Sequence, residues 1–240
     1  MIVLLRKKIL APAAAVLCCA LVGGGWLLHR AQPVFLAEQS GTPIVVIDAG
    51  HGGEDGGAVA ADGTVESGIN LAIARDLNEL LRFLGCETRM TRTEDTAIYS
   101  DGAQTLREKK ASDLKNRVRI VNETPNAVLV SIHQNSLPSS SRVHGAQVFY
   151  ARTEGSEELA ESIQAALNAA VNAGNEKSKK PIGEGVYLMK HVERRAVLIE
   201  CGFLSNAEET LALREESYQR KLAVTIAAGY LADRSLQTMR

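Results

Sequence analysis

The chain has only four cysteines in 240 residues and a formal net charge of -1. So few cysteines exclude a disulfide-stapled scaffold, which needs a far denser set. A charge near zero argues against nucleic acid as the main partner, because a phosphate backbone calls for a basic face. No internal repeat is visible. The sequence lacks the compact HExxH pattern of many zinc enzymes, and its Gly-rich loop lacks the Lys-Ser/Thr of a phosphate-binding Walker loop. What is present is the balance of a folded protein, with 45% hydrophobic and 23% charged residues. The length accommodates one large domain or two small ones, with ample chain for a core. A metal here would therefore serve chemistry rather than hold the fold together.

The near-zero total conceals an asymmetry. Arg6, Lys7 and Lys8 precede an uncharged run, ILAPAAAVLCCALVGGGWLL, from Ile9 to Leu28. As a helix, such a run reaches about 30 Å, the thickness of a bilayer core. The basic cluster in front of it keeps the N-terminus in the cytoplasm and sends the remainder outward. Residues 1–30 are thus expected to be a transmembrane anchor or a signal. The run is longer than a signal core and ends without a clear cleavage site, which favours the anchor. Cys18 and Cys19 lie inside it. Residues 31–41 are expected to form a linker and 42–235 the catalytic domain. Residues 1–36 hold four basic side chains and no acid, so the exported part is mildly acidic.

From residue 42 onward, strand and helix patterns alternate. Ile44-Val45-Val46-Ile47 is a continuous β-branched run of the kind found in buried parallel strands. Glu66 to Leu84 has apolar residues at helical spacing and stops at Gly85. Further strands are expected at Glu87–Arg92, Ala127–His133, Ala146–Tyr150, Gly185–Met189 and Ala196–Glu200. Further helices are expected at Leu106–Asn122, with Leu114, Val118 and Val121 on one face, at Ser156–Val171, and at Asn206–Arg234. The expected fold is α/β, a mostly parallel sheet flanked by helices in a single catalytic domain.

Three of these strands end on a residue able to do chemistry. The first leads into Asp48-Ala49-Gly50-His51, AVLVSIH ends on His133, and AVLIE ends on Glu200. Ligands of open parallel sheets bind outside the carboxyl ends of the strands. His51, His133 and Glu200 should therefore share one edge. Glu66, opening the helix after the first strand, should join them. Two His and two Glu converging suggest a zinc hydrolase, with His₂Glu as ligands, one open position for water, and a second carboxylate as proton acceptor. A lone His at a strand end is more often structural than a ligand. A Glu closing a buried strand is harder to explain without a role, because an unpartnered buried charge is costly. In the loop from Gly50 to Gly57, Glu54 and Asp55 would repel phosphate, so its plain reading is a tight turn beside the site.

DAGHGGEDGGA (48–58), Glu66 in VESGINLAIA, TRT (91–93), VSIHQN (130–135) and LIECGFLSN (198–206) closely resemble the zinc-dependent N-acetylmuramoyl-L-alanine amidases of bacterial cell walls. The resemblance covers about residues 44 to 232. It implies one Zn²⁺ per chain held by His51, Glu66 and His133, with Glu200 as the catalytic carboxylate and Asn135 near the site. It implies peptidoglycan as substrate, cut at the amide between muramic acid and L-alanine. Within the family the chain is most similar to the spore-cortex, germination-associated group. Three features carry that: the N-terminal membrane segment with no added wall-binding repeat, the long stretch Thr93–Lys115, and the segment SLPSSSRVHGAQVFYA directly after VSIHQN. That group implies a part in muramic-δ-lactam formation and an accessory lipoprotein as a possible partner.

Some positions stay open. Asp48, three residues before His51, is a candidate to orient an imidazole or to cap the turn. His144 and His191 fall outside the family's ligand positions, as does Cys201, a small buried thiol beside Glu200. Two other functions compete with the amidase: a zinc peptidase or carboxypeptidase acting on wall peptides, and a non-catalytic wall-binding protein. All four site residues are present, which speaks against the latter.

Overall fold

The structure, a computed structural model, describes residues 41–233. The expected membrane segment at 1–30 and most of the linker lie outside the described residues. Among the described residues no helix is long and apolar enough to cross a membrane.

Six strands form one sheet: β1 (Ile44–Ala49), β2 (Glu87–Met90), β3 (Ala127–Asn135), β4 (Gln147–Tyr150), β5 (Lys180–Pro181) and β6 (Arg195–Phe203). Their order across the sheet is β2-β1-β3-β6-β4-β5. The first four in that order run parallel, as the apolar runs at Ile44, Ala127 and Ala196 predict. β4 runs antiparallel to β6, and the short β5 pairs parallel with β4. No helix links Asn135 to Gln147. Without a helical crossover to carry the chain back to its starting end, β4 returns in the opposite direction.

Six helices flank the sheet: α1 (Glu66–Phe83), α2 (Leu106–Glu123), α3 (Ser156–Ala170), α4 (Tyr187–His191), α5 (Ala207–Arg214) and α6 (Glu216–Ala232). Strand alternation divides the core into two layers. Val45, Ile47, Val128, Val130, Ile132, Val197 and Ile199 face α1, α3 and α6, where Ile73, Leu77, Ile163 and Ile226 meet them. Val46, Leu129, Ala196 and Leu198 face the thinner layer of α2 and α4, with Val121, Leu188 and Met189. Burying each large aliphatic side chain contributes about 1.5–3 kcal/mol.

Two expected elements differ. Gly185–Met189 was expected as a strand, but residues 187–191 form α4. A short apolar run does not by itself distinguish a strand from a buried turn of helix. The expected closing helix Asn206–Arg234 is two helices, separated by Glu215 in an extended conformation at φ -79° and ψ 123°. Asn206 caps the first of them by accepting from the Glu209 amide at 3.0 Å.

Candidate active site

The alternation that divides the core also aims the site. Asp48 on β1, Ser131 and His133 on β3, and Glu200 on β6 have the parity of Val46, Leu129 and Leu198. They therefore project from the same face of the sheet. His133 and Glu200 are direct register partners on adjacent parallel strands. Glu66 reaches the same edge from the first turn of α1. Its helix is capped by the preceding loop: the Glu66 amide donates to the Ala58 carbonyl at 2.9 Å and the Ser67 amide to the Gly56 carbonyl at 3.0 Å.

Ligand atoms of His51, Glu66 and His133 all lie within 4.8 Å of one another. Glu66 Oε1 sits 3.4 Å from His51 Nε2 and 3.1 Å from His133 Nδ1. A tetrahedral ion with bonds of about 2.0–2.1 Å needs ligand-to-ligand edges of about 3.3–3.4 Å. The donor set, and its two edges through Glu66, thus suit zinc. Two imidazole nitrogens turned toward one carboxylate oxygen also need a cation or proton among them. Burial alone would raise the Glu66 pKa, but the imidazoles of His133 and His51 hold it well below the carboxylate range. Burial likewise pushes His51 down, yet Glu66 and Asp55 outweigh it and raise its pKa.

The trio is held by a further layer of contacts. His51 Nδ1 donates to Asp55 Oδ2 at 3.1 Å, leaving Nε2 free to face Glu66. Asp55 in turn is 3.2 Å from the Lys110 ammonium. Glu66 Oε1 accepts from Asn70 Nδ2 at 3.0 Å and from the Gln134 amide at 3.1 Å, while Oε2 accepts from the Ala58 amide at 2.8 Å. Two glycines are dictated by close approach. A methyl at Gly50 would lie on the His133 ring, and one at Gly57, where φ is +74°, would strike the Glu66 carboxylate.

Glu200 stands apart from this network. Its Oε2 is buried and has no hydrogen-bond partner. Burial raises its carboxyl pKa to about 7, with the neighbouring imidazoles pulling the other way. A carboxylate kept out of the ligand cluster, beside His133 and without a structural partner, can take up a proton from a bound reactant.

The three residues predicted from strand ends, and Glu66 predicted from the start of a helix, therefore come together. The reading of Asp48 differs. Asp48 neither orients an imidazole nor caps a turn. It is buried, accepts from Thr91 Oγ1 and Ser131 Oγ at 2.7 Å each, and pairs with Arg117 at 2.6 Å. The carboxylate that does orient His51 is Asp55, dismissed above as part of a turn. Its position four residues after His51 was the available signal. Asn135 lies at the end of β3, two residues beyond the trio's His133, where it accepts from the Ser136 amide at 2.8 Å. His144 and His191 are both exposed and outside the trio. Sequence reading gave no role to Arg92, although it lies in the TRT motif, or to Arg117. Both are buried, and their guanidinium groups bind the carbonyls of the Ala49–His51 segment.

Residues 45–231 match the family described as N-acetylmuramoyl-L-alanine amidase. The germination-specific N-acetylmuramoyl-L-alanine amidase of Bacillus subtilis (strain 168) is 35% identical over 188 residues, covering 78% of this chain and 78% of that protein. The CwlD amidase from Clostridioides difficile, solved in complex with the GerS lipoprotein, superposes with a TM-score of 0.76 at 39% identity. That match covers 80% of this chain and 98% of the other. The catalytic domain of CwlV, an N-acetylmuramoyl-L-alanine amidase from Bacillus (Paenibacillus) polymyxa var. colistinus, gives a TM-score of 0.66 at 32% identity, covering 80% of this chain and 99% of that one.

Proposed function

The chain belongs to the N-acetylmuramoyl-L-alanine amidase family, and from that membership we propose how its own residues cut peptidoglycan. His51, Glu66 and His133 hold one Zn²⁺, and Glu200 is the catalytic carboxylate. The observation that carries this reading is the separation of roles at one sheet edge. Three donors converge within 4.8 Å, and a fourth carboxyl stands beside them with an unpartnered buried oxygen.

Zinc in this site would polarise the lactyl carbonyl and acidify the attacking water. Glu200 Oε2 takes the proton of that water as the water oxygen bonds to the lactyl carbonyl carbon, before the C–N bond to L-alanine breaks. The same carboxyl then delivers the proton to the departing amine nitrogen, so that it leaves as a neutral amine rather than an anion. Asp55, by holding His51 Nδ1–H, keeps Nε2 available as a ligand. The products are a muramic acid carboxylate and a stem peptide with a free L-alanine amino terminus.

The domain, residues 42–235, works outside the cytoplasm on the cell wall, with residues 1–30 as its anchor or leader. Its wall substrate is that of the spore cortex, where removal of the peptide precedes muramic-δ-lactam formation by another enzyme. The germination-specific relative from Bacillus subtilis supports this assignment. An accessory lipoprotein partner is part of the same proposal, on the likeness to CwlD solved with the GerS lipoprotein.

The test is product analysis by mass spectrometry after incubating the purified protein with zinc and either cortex or vegetative peptidoglycan. New L-alanine amino termini on an intact glycan are expected. Release of C-terminal amino acids instead would identify a carboxypeptidase.

A further inference from the structure

We infer that Arg117 is a positioning residue that sets the metal-binding geometry of His51 through the main chain, an inference that rests on the ligand role proposed for His51. His51 has φ of +61°, a left-handed conformation that side-chain-bearing residues rarely adopt. It opens a loop in which Gly52 and Gly53 also have positive φ, at +139° and +59°. Left to itself such a loop samples several conformations, and the imidazole would wander with it.

Two buried guanidinium groups grip the segment that leads into it. Arg92 donates to the Ala49 carbonyl at 2.9 Å and to the Gly50 carbonyl at 3.0 Å. Arg117 donates to the Ala49 carbonyl at 2.8 Å and to the His51 carbonyl at 2.7 Å. Three successive carbonyls are thus bound by two cations, and the contact to His51 itself belongs to Arg117. The rest of that guanidinium is anchored to the framework. Its Nε donates to Asp113 Oδ2 at 2.6 Å, and its Nη1 to Asp48 Oδ1 at 2.6 Å. Asp48 is itself fixed by Thr91 beyond β2 and Ser131 on β3.

A guanidinium has five N–H donors in one rigid plane. A purely structural ion pair would be complete with Asp48 and Asp113. Here the remaining donors go to main-chain oxygens of the loop that carries the ligand. Arg117 therefore transmits the position of β1, β3 and α2 to the His51 carbonyl. Lysine, with a compact ammonium, cannot span both carboxylates and both carbonyls at once.

The experiment measures zinc affinity of the full chain and of Arg117→Lys by competition with a chromophoric chelator. It is paired with the ¹³Cα shift of His51 in the zinc-free protein, which reports its backbone conformation. Thr105→Ala is the control for mere destabilisation, because Thr105 completes the capping box at the far end of the same helix. The lysine variant is expected to bind zinc about 10–100-fold more weakly, with the His51 shift moved toward ordinary values. The control should lower Tm and leave affinity within about twofold, since a cap lies outside the site. A folded Arg117→Lys with wild-type affinity and an unmoved His51 shift overturns the inference. If the lysine variant does not fold, the zinc-free wild-type protein still decides: a left-handed His51 shift upholds preorganisation and an averaged one overturns it. A wild-type protein that binds no zinc refutes the ligand reading, and the same shift then judges the positioning by itself.

Discussion

Replacing Asp48 by asparagine removes one charge from a site that has been built around it. Asp48 is 1% exposed, its two oxygens accept from Thr91, Ser131 and Arg117, and Arg117 is itself 2% exposed. Removing one partner of a buried pair typically costs about 3–5 kcal/mol. Arg117 keeps Asp113, so about 3 kcal/mol is expected. A second route gives a similar size. Burial raises the Asp48 pKa, but Arg117 and the Ser131 hydroxyl outweigh it and bring the group to about 2, against an ordinary value of 3.8. The shift is downward, so the unfolded chain takes up the proton first as pH falls. The stabilisation, about 2 kcal/mol, is therefore complete above pH 4 and lost as pH falls toward 2, about 1 kcal/mol of it by pH 3. Urea unfolding of wild type and Asp48→Asn from pH 7 to pH 2.5 tests both statements. With a slope of about 2–3 kcal/mol per molar, the midpoints should differ by about 1–1.5 M at pH 7. The difference should shrink toward low pH. A midpoint difference that stays constant between pH 5 and pH 2.5 would refute the argument, whatever its size.

Glu200→Gln should keep its zinc and lose about 10²–10⁴-fold in kcat, the usual loss for a proton-transfer group. Steady-state hydrolysis of a muramyl-peptide, with metal content measured in parallel, checks it, and full activity would remove Glu200 from the chemistry. His133→Ala should lose the metal, and stoichiometric zinc after dialysis would show the ligand set to be wrong. Asp55→Asn should weaken zinc about 10–100-fold by loosening His51 Nδ1; unchanged chelator competition would leave Asp55 with only its Lys110 contact. Gly50→Ala should fold but bind zinc poorly, because the added methyl displaces the His133 ring, and metal titration of the purified variant decides.

The strand-end rule located His51, His133 and Glu200 because buried parallel strands are legible as apolar runs whose carboxyl-terminal parts share an edge, although β3 and β6 continue to Asn135 and Phe203. Pairing of His133 with Glu200 follows from register, which the sequence does not display. The helix at Leu106 was predicted with Leu114, Val118 and Val121 inward. Its buried positions are Asp113, Arg117 and Val121, a stripe with two charges. Hydropathy cannot find such a stripe, since Arg117 is buried only because Asp48 waits for it 69 residues earlier. Asp55 was discounted for a similar reason: a carboxylate in a Gly-rich loop has no sign of its own pointing to an imidazole. The split at Glu215 has neither Gly nor Pro to announce it.

The position of β6 bears on when the enzyme comes into being. This strand lies between β3 and β4 in the sheet, yet it is the last strand to be synthesised. A chain still emerging from a ribosome would present the edges of β3 and β4 to each other with their mutual partner missing. Open edges of that kind delay cooperative folding until distant segments meet. Because Glu200 arrives on that same strand, beside His133, the sheet cannot close without also receiving the group proposed to move the proton. Hydrolytic power therefore comes with the closed sheet and not before it.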